Sequence, residues 1–193
     1  MPDPAPDAAS SRRPAAPGTI PPHTLVIGGA RSGKSRQAEA LARRSGLERH
    51  YLATATAHDD EMRARIAQHR AARAQDGWRT LEEPIDLVGA LRREAAPARI
   101  LLVDCLTLWL TNVMLGGLDV EAACSGLADA IPGLAGPAIL VSNEVGWGIV
   151  PDNRLARDFR DAQGRLNQRV AEACGRVVLV AAGLPLALKG AWP

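Results

Sequence analysis

Thr24-Leu25-Val26-Ile27-Gly28-Gly29-Ala30-Arg31-Ser32-Gly33-Lys34-Ser35 is a short apolar run, then a glycine-bounded loop, a lysine and a serine. From Gly28 to Ser35 the spacing is that of a phosphate-binding P-loop, G-x-x-x-x-G-K-[ST]. Each part has a chemical task. Glycines let the backbone curl so that its N–H groups converge on phosphate oxygens, Lys34 brings a cation to the outer phosphates, and the Ser35 hydroxyl is a magnesium ligand. The context fits: Leu25 to Ile27 reads as a buried strand, and Arg36 to Arg44 carries Ala38, Leu41 and Ala42 at helical spacing. That helix turns its positive end toward the same anion. Lys34 and Lys189 are the only lysines in the chain. Gly28, Gly29, Ala30, Arg31, Ser32, Gly33, Lys34 and Ser35 are thus the first candidate nucleotide-binding residues.

Outward from the loop, His50 to Ala55 reads as a second strand, and Asp59 and Asp60 open a helix that runs to about Gln75 and stops at Gly77. Pro84 to Glu94 reads as a shorter helix and Arg99 to Asp104 as a third strand. Its terminal acid, Asp104, stands where P-loop enzymes keep a magnesium-organising carboxylate. Leu106 to Leu115 and Val120 to Ile131 read as helices, and Ala138 to Ser142 as a fourth strand. The glycine-rich loop from Asn143 to Pro151, with Glu144 and Trp147, leads into the clearest helix. There Leu155, Phe159, Ala162, Leu166 and Val170 make one apolar stripe, Asp152 or Asn153 is the cap, and Arg157 is set to pair with Asp161. Arg176 to Ala181 is a fifth strand and Gly183 to Leu188 a short last one. Alternating strands and helices imply an α/β fold with a mostly parallel sheet covered on both faces. Ligands bind such sheets at the carboxyl ends of the strands, which gathers the P-loop, Thr54 to Thr56, Asp104 to Thr107 and Asn143 to Gly148 on one rim.

The 193 residues suit one domain, placed at 23–193 behind a Pro- and Ala-rich tail, 1–22, that reads as disordered and lacks a signal peptide's apolar core. A net charge of +2 and few aromatics give no reason to invoke nucleic acid or an anionic membrane, and no segment reaches the length of a membrane span. Cys105, Cys124 and Cys174 lack disulfide or zinc spacing and fit reduced, cytoplasmic, buried thiols. In the helix from Asp59, steps of three and four put Met62, Arg65, Ile66 and His69 near one face. Arg65, Arg70 and Arg73 around His69 suit a polyphosphate whose α phosphorus an imidazole attacks, although the same arginines also read as solvated partners of Glu61 and Asp76.

Gly-Gly-Ala-Arg-Ser-Gly-Lys-Ser (28–35), Asp-Asp-Glu-Met (59–62), Arg-Ile-Ala-Gln-His-Arg (65–70), Trp-Arg-Thr-Leu-Glu (78–82), Asn-Glu-Val-Gly-Trp-Gly-Ile-Val-Pro (143–151), Asn-Arg-Leu-Ala-Arg-Asp-Phe-Arg-Asp (153–161) and Gly-Arg-Leu-Asn-Gln (164–168) together resemble one family. It is the bifunctional adenosylcobinamide kinase and adenosylcobinamide-phosphate guanylyltransferase of cobalamin biosynthesis, and the likeness runs in order from Thr24 to about Ala181. The resemblance implies a RecA-like P-loop fold, a homotrimer and two reactions. ATP or GTP phosphorylates the aminopropanol hydroxyl of adenosylcobinamide. A histidine then takes GMP from GTP with loss of pyrophosphate and passes it to the substrate phosphate, giving adenosyl-GDP-cobinamide. By resemblance the reactive histidine is His69, with Lys34 also catalytic and magnesium held by Ser35 and Asp104. The nucleotide contacts carry over to the P-loop, Ala53, Thr54, Ala55, Arg70, Ala71, Ala72, Arg73, Glu82 and Asp104. Some relatives have glutamate at the position of Asp104 and a second histidine at that of Gln68. The loop after Ser142, with Glu144 and Trp147, is a candidate for corrin or triphosphate contacts.

Overall fold

The computed structural model describes residues 23–56, 64, 67, 71 and 73–192. Its strands are β1 (Thr24–Gly28), β2 (Glu48–Ala53), β3 (Trp78–Glu82), β4 (Arg99–Asp104), β5 (Ala138–Asn143), β6 (Arg176–Ala181) and β7 (Leu184–Lys189), in the spatial order β3-β2-β4-β5-β1-β6-β7. All pairings are parallel except β6 with β7, which is an antiparallel hairpin. The order jumps because each parallel neighbour needs a crossover.

Five α-helices lie wholly within the described residues: α1 (Lys34–Arg44), α2 (Leu87–Glu94), α3 (Leu106–Leu115), α4 (Val120–Ala130) and α5 (Arg154–Ala173). Central strands alternate between two apolar cores. Leu101, Val103 and Leu140 face α2 to α5, where Leu87, Leu106, Trp109, Leu127 and Leu166 pack. Ile100, Leu102, Ile139 and Val141 face the other way with Ala38 and Leu41 of α1. Burying each Leu, Ile or Val among them stabilises the fold by about 1.5–3 kcal/mol. Trp109 is core, and its indole N–H donates to the Ile85 carbonyl at 2.9 Å. The α/β fold with a P-loop, a mostly parallel sheet and helices on both faces is the one expected.

Several details differ from the sequence reading. Trp78–Glu82, unread as a strand, is the edge strand β3: it has no apolar run, and Trp78 holds it by an edge-on contact with Tyr51, ring centres 5.8 Å apart. The Pro84 helix begins only at Leu87, because Asp86 caps it by accepting from the Gly89 N–H at 3.0 Å. Asn153 is the cap of α5, accepting from Ala156 N–H at 2.8 Å. Arg157 does not pair with Asp161; it folds back to donate to the Pro151 and Asp152 carbonyls at 3.0 and 2.7 Å. Of the helix expected from Asp59 to Gln75, Ala64, Ala67, Ala71 and Arg73 to Gln75 are helical. His69, Arg70 and Ala72 lie outside the described residues. No described helix is long and apolar enough to cross a membrane.

Candidate functional site

The P-loop joins β1 to α1 as the motif requires. Gly28 has no room for a side chain, since a Cβ there would meet the Val180 carbonyl oxygen at 2.4 Å and Ser32 Oγ at 2.6 Å. Gly33, at φ 93°, takes the left-handed turn that starts α1. Arg31 is also left-handed, at φ 56°, which tightens the curl of the loop. Lys34 Nζ rests on the Gly29 carbonyl at 3.2 Å and has no carboxylate partner among the described residues, so its charge is available to an anion. Ser32 Oγ is buried in the loop without a partner.

The loop is braced from a distance. The turn between β6 and β7 puts Ala182 and Gly183 in the left-handed region, at φ 51° and 80°. Gly183 N–H donates to the Ser32 carbonyl at 2.8 Å, and Gln37 Nε2 donates to the Gly183 carbonyl at 2.8 Å. Sequence reasoning missed this clamp; the Ala-Ala-Gly turn between two apolar runs was its signal.

Farther along the same rim, beyond β5, register aligns the strand ends. Glu82 of β3 stands opposite Ala53 of β2, and Ala53 opposite Asp104 of β4. Asp104 Oδ2 accepts from the Tyr51 hydroxyl at 2.7 Å, which leaves Oδ1 for a ligand. Burial first, then the Asp104 charge, pushes the Tyr51 phenol well above its ordinary range, so it remains a neutral donor. The Arg73 guanidinium lies 3.9 Å from the centre of the Tyr51 ring, which brings Arg73, Tyr51 and Asp104 into one chain of contacts. Tyr51 was not singled out from sequence.

Thr54 is fully buried and serves as a brace. Its hydroxyl donates to the Cys105 carbonyl at 2.8 Å and accepts from Cys105 N–H at 2.9 Å, and its own carbonyl accepts from Asn112 Nδ2 at 2.8 Å. Ala53 is buried, whereas Ala55 is half-buried and Ala71 exposed. On the other side of Asp104, Thr107 Oγ1 accepts from Asn143 N–H at 2.9 Å, and Glu144 N–H donates to the Gly28 carbonyl at 3.1 Å. Of the rim expected at Gly28–Ser35, Thr54–Thr56, Asp104–Thr107 and Asn143–Gly148, these bonds join Gly28, Thr54, Cys105, Thr107, Asn143 and Glu144, and Glu82, named only by resemblance, stands in register with Ala53 and Asp104.

The end of β5 is anchored by a buried polar group on α5. Ser142 Oγ donates to Asn167 Oδ1 at 2.6 Å, Gln163 Nε2 donates to both, and Asn167 Nδ2 donates to the Asn143 carbonyl at 3.1 Å. For magnesium, a serine hydroxyl at the start of α1 and a carboxylate with one unused oxygen are the hard donors that cation takes. The chemistry of Ser35 and Asp104 fits it.

The site can hold a nucleoside triphosphate against a cationic, N–H-lined loop. The sequence profile described as "Cobinamide kinase / cobinamide phosphate guanyltransferase" matches residues 24–188. "Bifunctional adenosylcobalamin biosynthesis protein CobP" of Pseudomonas aeruginosa is 54% identical over 170 residues, 86% of this chain and 96% of that protein. The proteins CobU of Escherichia coli and Salmonella typhimurium are 41% and 44% identical over 180 residues, each match covering 86% of this chain and 98% of the relative. A solved protein of Pyrococcus horikoshii OT3 shares the fold alone, at 11% identity and TM-score 0.52 over 90% of this chain and 88% of that one. The chain belongs to the cobinamide kinase and cobinamide phosphate guanyltransferase family, and is a bifunctional kinase and guanylyltransferase of adenosylcobalamin biosynthesis.

Proposed function

We propose that the two reactions run at this one rim and that the second passes through a covalent histidine. In the first, the aminopropanol hydroxyl of adenosylcobinamide attacks the γ phosphorus of ATP or GTP. The bond to the bridging oxygen breaks, nucleoside diphosphate leaves, and the hydroxyl proton is lost. In the second, a neutral nitrogen of His69 attacks the α phosphorus of GTP and pyrophosphate leaves. An oxygen of the substrate phosphate then breaks the P–N bond, giving adenosyl-GDP-cobinamide and free His69.

Lys34 and the N–H groups of Gly28 to Ser35 hold the phosphates and offset charge as it moves to the leaving oxygens. Ser35 and Asp104 would hold magnesium, which when bound neutralises further phosphate charge. In this reading Arg70 and Arg73 steer the α phosphate, Ala71 and Ala72 contact the nucleotide, and Glu82, Ala53, Thr54 and Ala55 form the wall toward the nucleoside. The observation that carries the reading is the rim of strand ends that sets Asp104 two strands from a braced P-loop, with Ala53 and Glu82 in register on the next two strands. The reading also includes a homotrimer and a cytoplasmic setting, which the three free, buried thiols support.

The test uses GTP labelled on the α phosphate, incubated with magnesium and the full chain. Denatured wild type is expected to retain label that survives alkali and is lost in acid, with none on His69→Ala. Protein that binds GTP at neutral pH yet takes up no label would sink the covalent step and leave a simple kinase. Protonated His69 has no lone pair to offer, so labelling should fall in acid.

A further inference from the structure

The apolar stripe of α5 does not end where its cover ends. Ala162, Leu166 and Val170 are buried in the core, but Leu155, on the same stripe one and two turns earlier, is 59% exposed and Phe159 is only half-buried. Facing them on α3 is Leu115, 67% exposed, beside Met114, which is half-buried against the core. Between the two helices lies an open groove of about 410 Å³, lined by these residues and by Thr111 and Asn153. In the loop that feeds α5, outside the groove's lining, Trp147, Ile149 and Val150 are exposed as well.

The groove is continuous with the nucleotide rim. Thr107, one turn before Thr111 on α3, holds Asn143 N–H at the end of β5, and Asn112 holds the Thr54 carbonyl. It also opens on the side of the sheet opposite α1. A triphosphate seated on the N-terminus of α1 leaves that opposite side free for the acceptor.

We propose that this groove seats the corrin ring of the cobinamide substrate, with its aminopropanol arm reaching back to the rim. The inference rests on the bifunctional reading. A corrin is a broad macrocycle with methyl-covered faces and amide side chains around its edge. Such a ligand needs apolar walls and a few amide or hydroxyl partners at their margin; Asn153 Nδ2, whose Oδ1 caps α5, can donate, and Thr111 Oγ1, which donates to the Thr107 carbonyl, can accept. Leu115 and Leu155 line the opposite walls and make the first-order contacts with the ring faces.

The experiment is equilibrium dialysis of the full chain against adenosylcobinamide, read by its visible absorbance, for wild type, Leu155→Gln and Leu115→Gln. Both side chains are exposed, so the variants should fold, which circular dichroism checks. Leu186→Gln, on the distant edge strand, is the control. The expected result is a rise of tenfold or more in Kd for each groove variant and none for the control. The half-reaction with α-labelled GTP, which needs no cobinamide, should be unchanged. Unaltered cobinamide affinity in both folded groove variants would overturn the proposal. So would unaltered affinity with a changed sedimentation coefficient, which would make the groove a contact between copies of the chain. Wild type that takes no GMP label yet shows groove-dependent cobinamide binding would support the groove while refuting the covalent reading.

Discussion

Two residues decide whether the loop and its carboxylate can be held at all, and both give testable substitutions. At Gly28 the nearest obstacle to a Cβ is a backbone carbonyl, that of Val180 at 2.4 Å, which cannot swing aside. Gly28→Ala is expected to destabilise the fold by about 1–3 kcal/mol through overpacking and to weaken GTP binding at least tenfold, read by thermal melting and calorimetric titration. Gly29 has nothing within 4 Å of the same position. Gly29→Ala should therefore melt like wild type, and equal damage at both glycines would refute the steric argument. At Tyr51 the hydroxyl is a donor to a charged oxygen, an interaction of about 1.5–3 kcal/mol, and burial keeps the phenol neutral. Tyr51→Phe should lower stability by an amount at the small end of that range and release Asp104 from its fixed orientation. Turnover with GTP should fall several-fold with little change in overall fold; unchanged turnover would mean that Asp104 needs no such anchor.

Helix α5 illustrates how an element does two jobs. One stripe fills the core, while Gln163 and Asn167 beside it are buried polar residues that fix the end of β5. Asn167→Ala would leave the Ser142 hydroxyl, the Gln163 amide and the Asn143 carbonyl short of partners, and unmet groups of that kind cost about 1–3 kcal/mol. Urea unfolding should show that loss, together with slower turnover from a displaced Asn143–Glu144 segment; wild-type stability would argue that water replaces the lost amide. Helix α2 offers a pH-dependent case at its cap. The Gly89 N–H first, then Arg93, hold the Asp86 carboxyl below its ordinary value of 3.8. With the folded value depressed, the contribution is complete above about pH 3.8 and is lost as pH falls through the lower folded value. The stability gap between wild type and Asp86→Ala should be about 0.5–1 kcal/mol near neutrality, at the low end because the group is exposed. It should close in acid, and a gap that persists there would show that the cap does not act through its charge.

At the scale of the molecule, the elements with a single local cause were legible in the sequence. Apolar runs gave β1, β4, β5 and β6, and the glycine spacing gave the loop between β1 and α1. What escaped depended on distant partners. β3 has no apolar run and is held by Trp78 against Tyr51 and by its ladder with β2. The Gly183 clamp joins residues 146 positions apart through Gln37, and the Tyr51 hydroxyl meets Asp104 across 53. Neither pairing has a spacing that a local pattern can record. The thiols offer a readout of this long-range cooperation. Cys105, Cys124 and Cys174 are all free and buried, and burial pushes each thiol upward, that of Cys174 to about 12. Since the thiolate is the reactive form, a disulfide reagent at pH 8 should label none of them until the chain opens. Cys105 lies beside Asp104 at the nucleotide rim, whereas Cys124 and Cys174 belong to the core under α4 and α5. If opening is global, GTP at about 100 times its Kd stabilises the folded state by about 2.7 kcal/mol. All three thiols should then be labelled about 100-fold more slowly, in the regime where labelling follows the open population. Protection confined to Cys105 would instead show that the rim opens by itself and that GTP closes only that local unit.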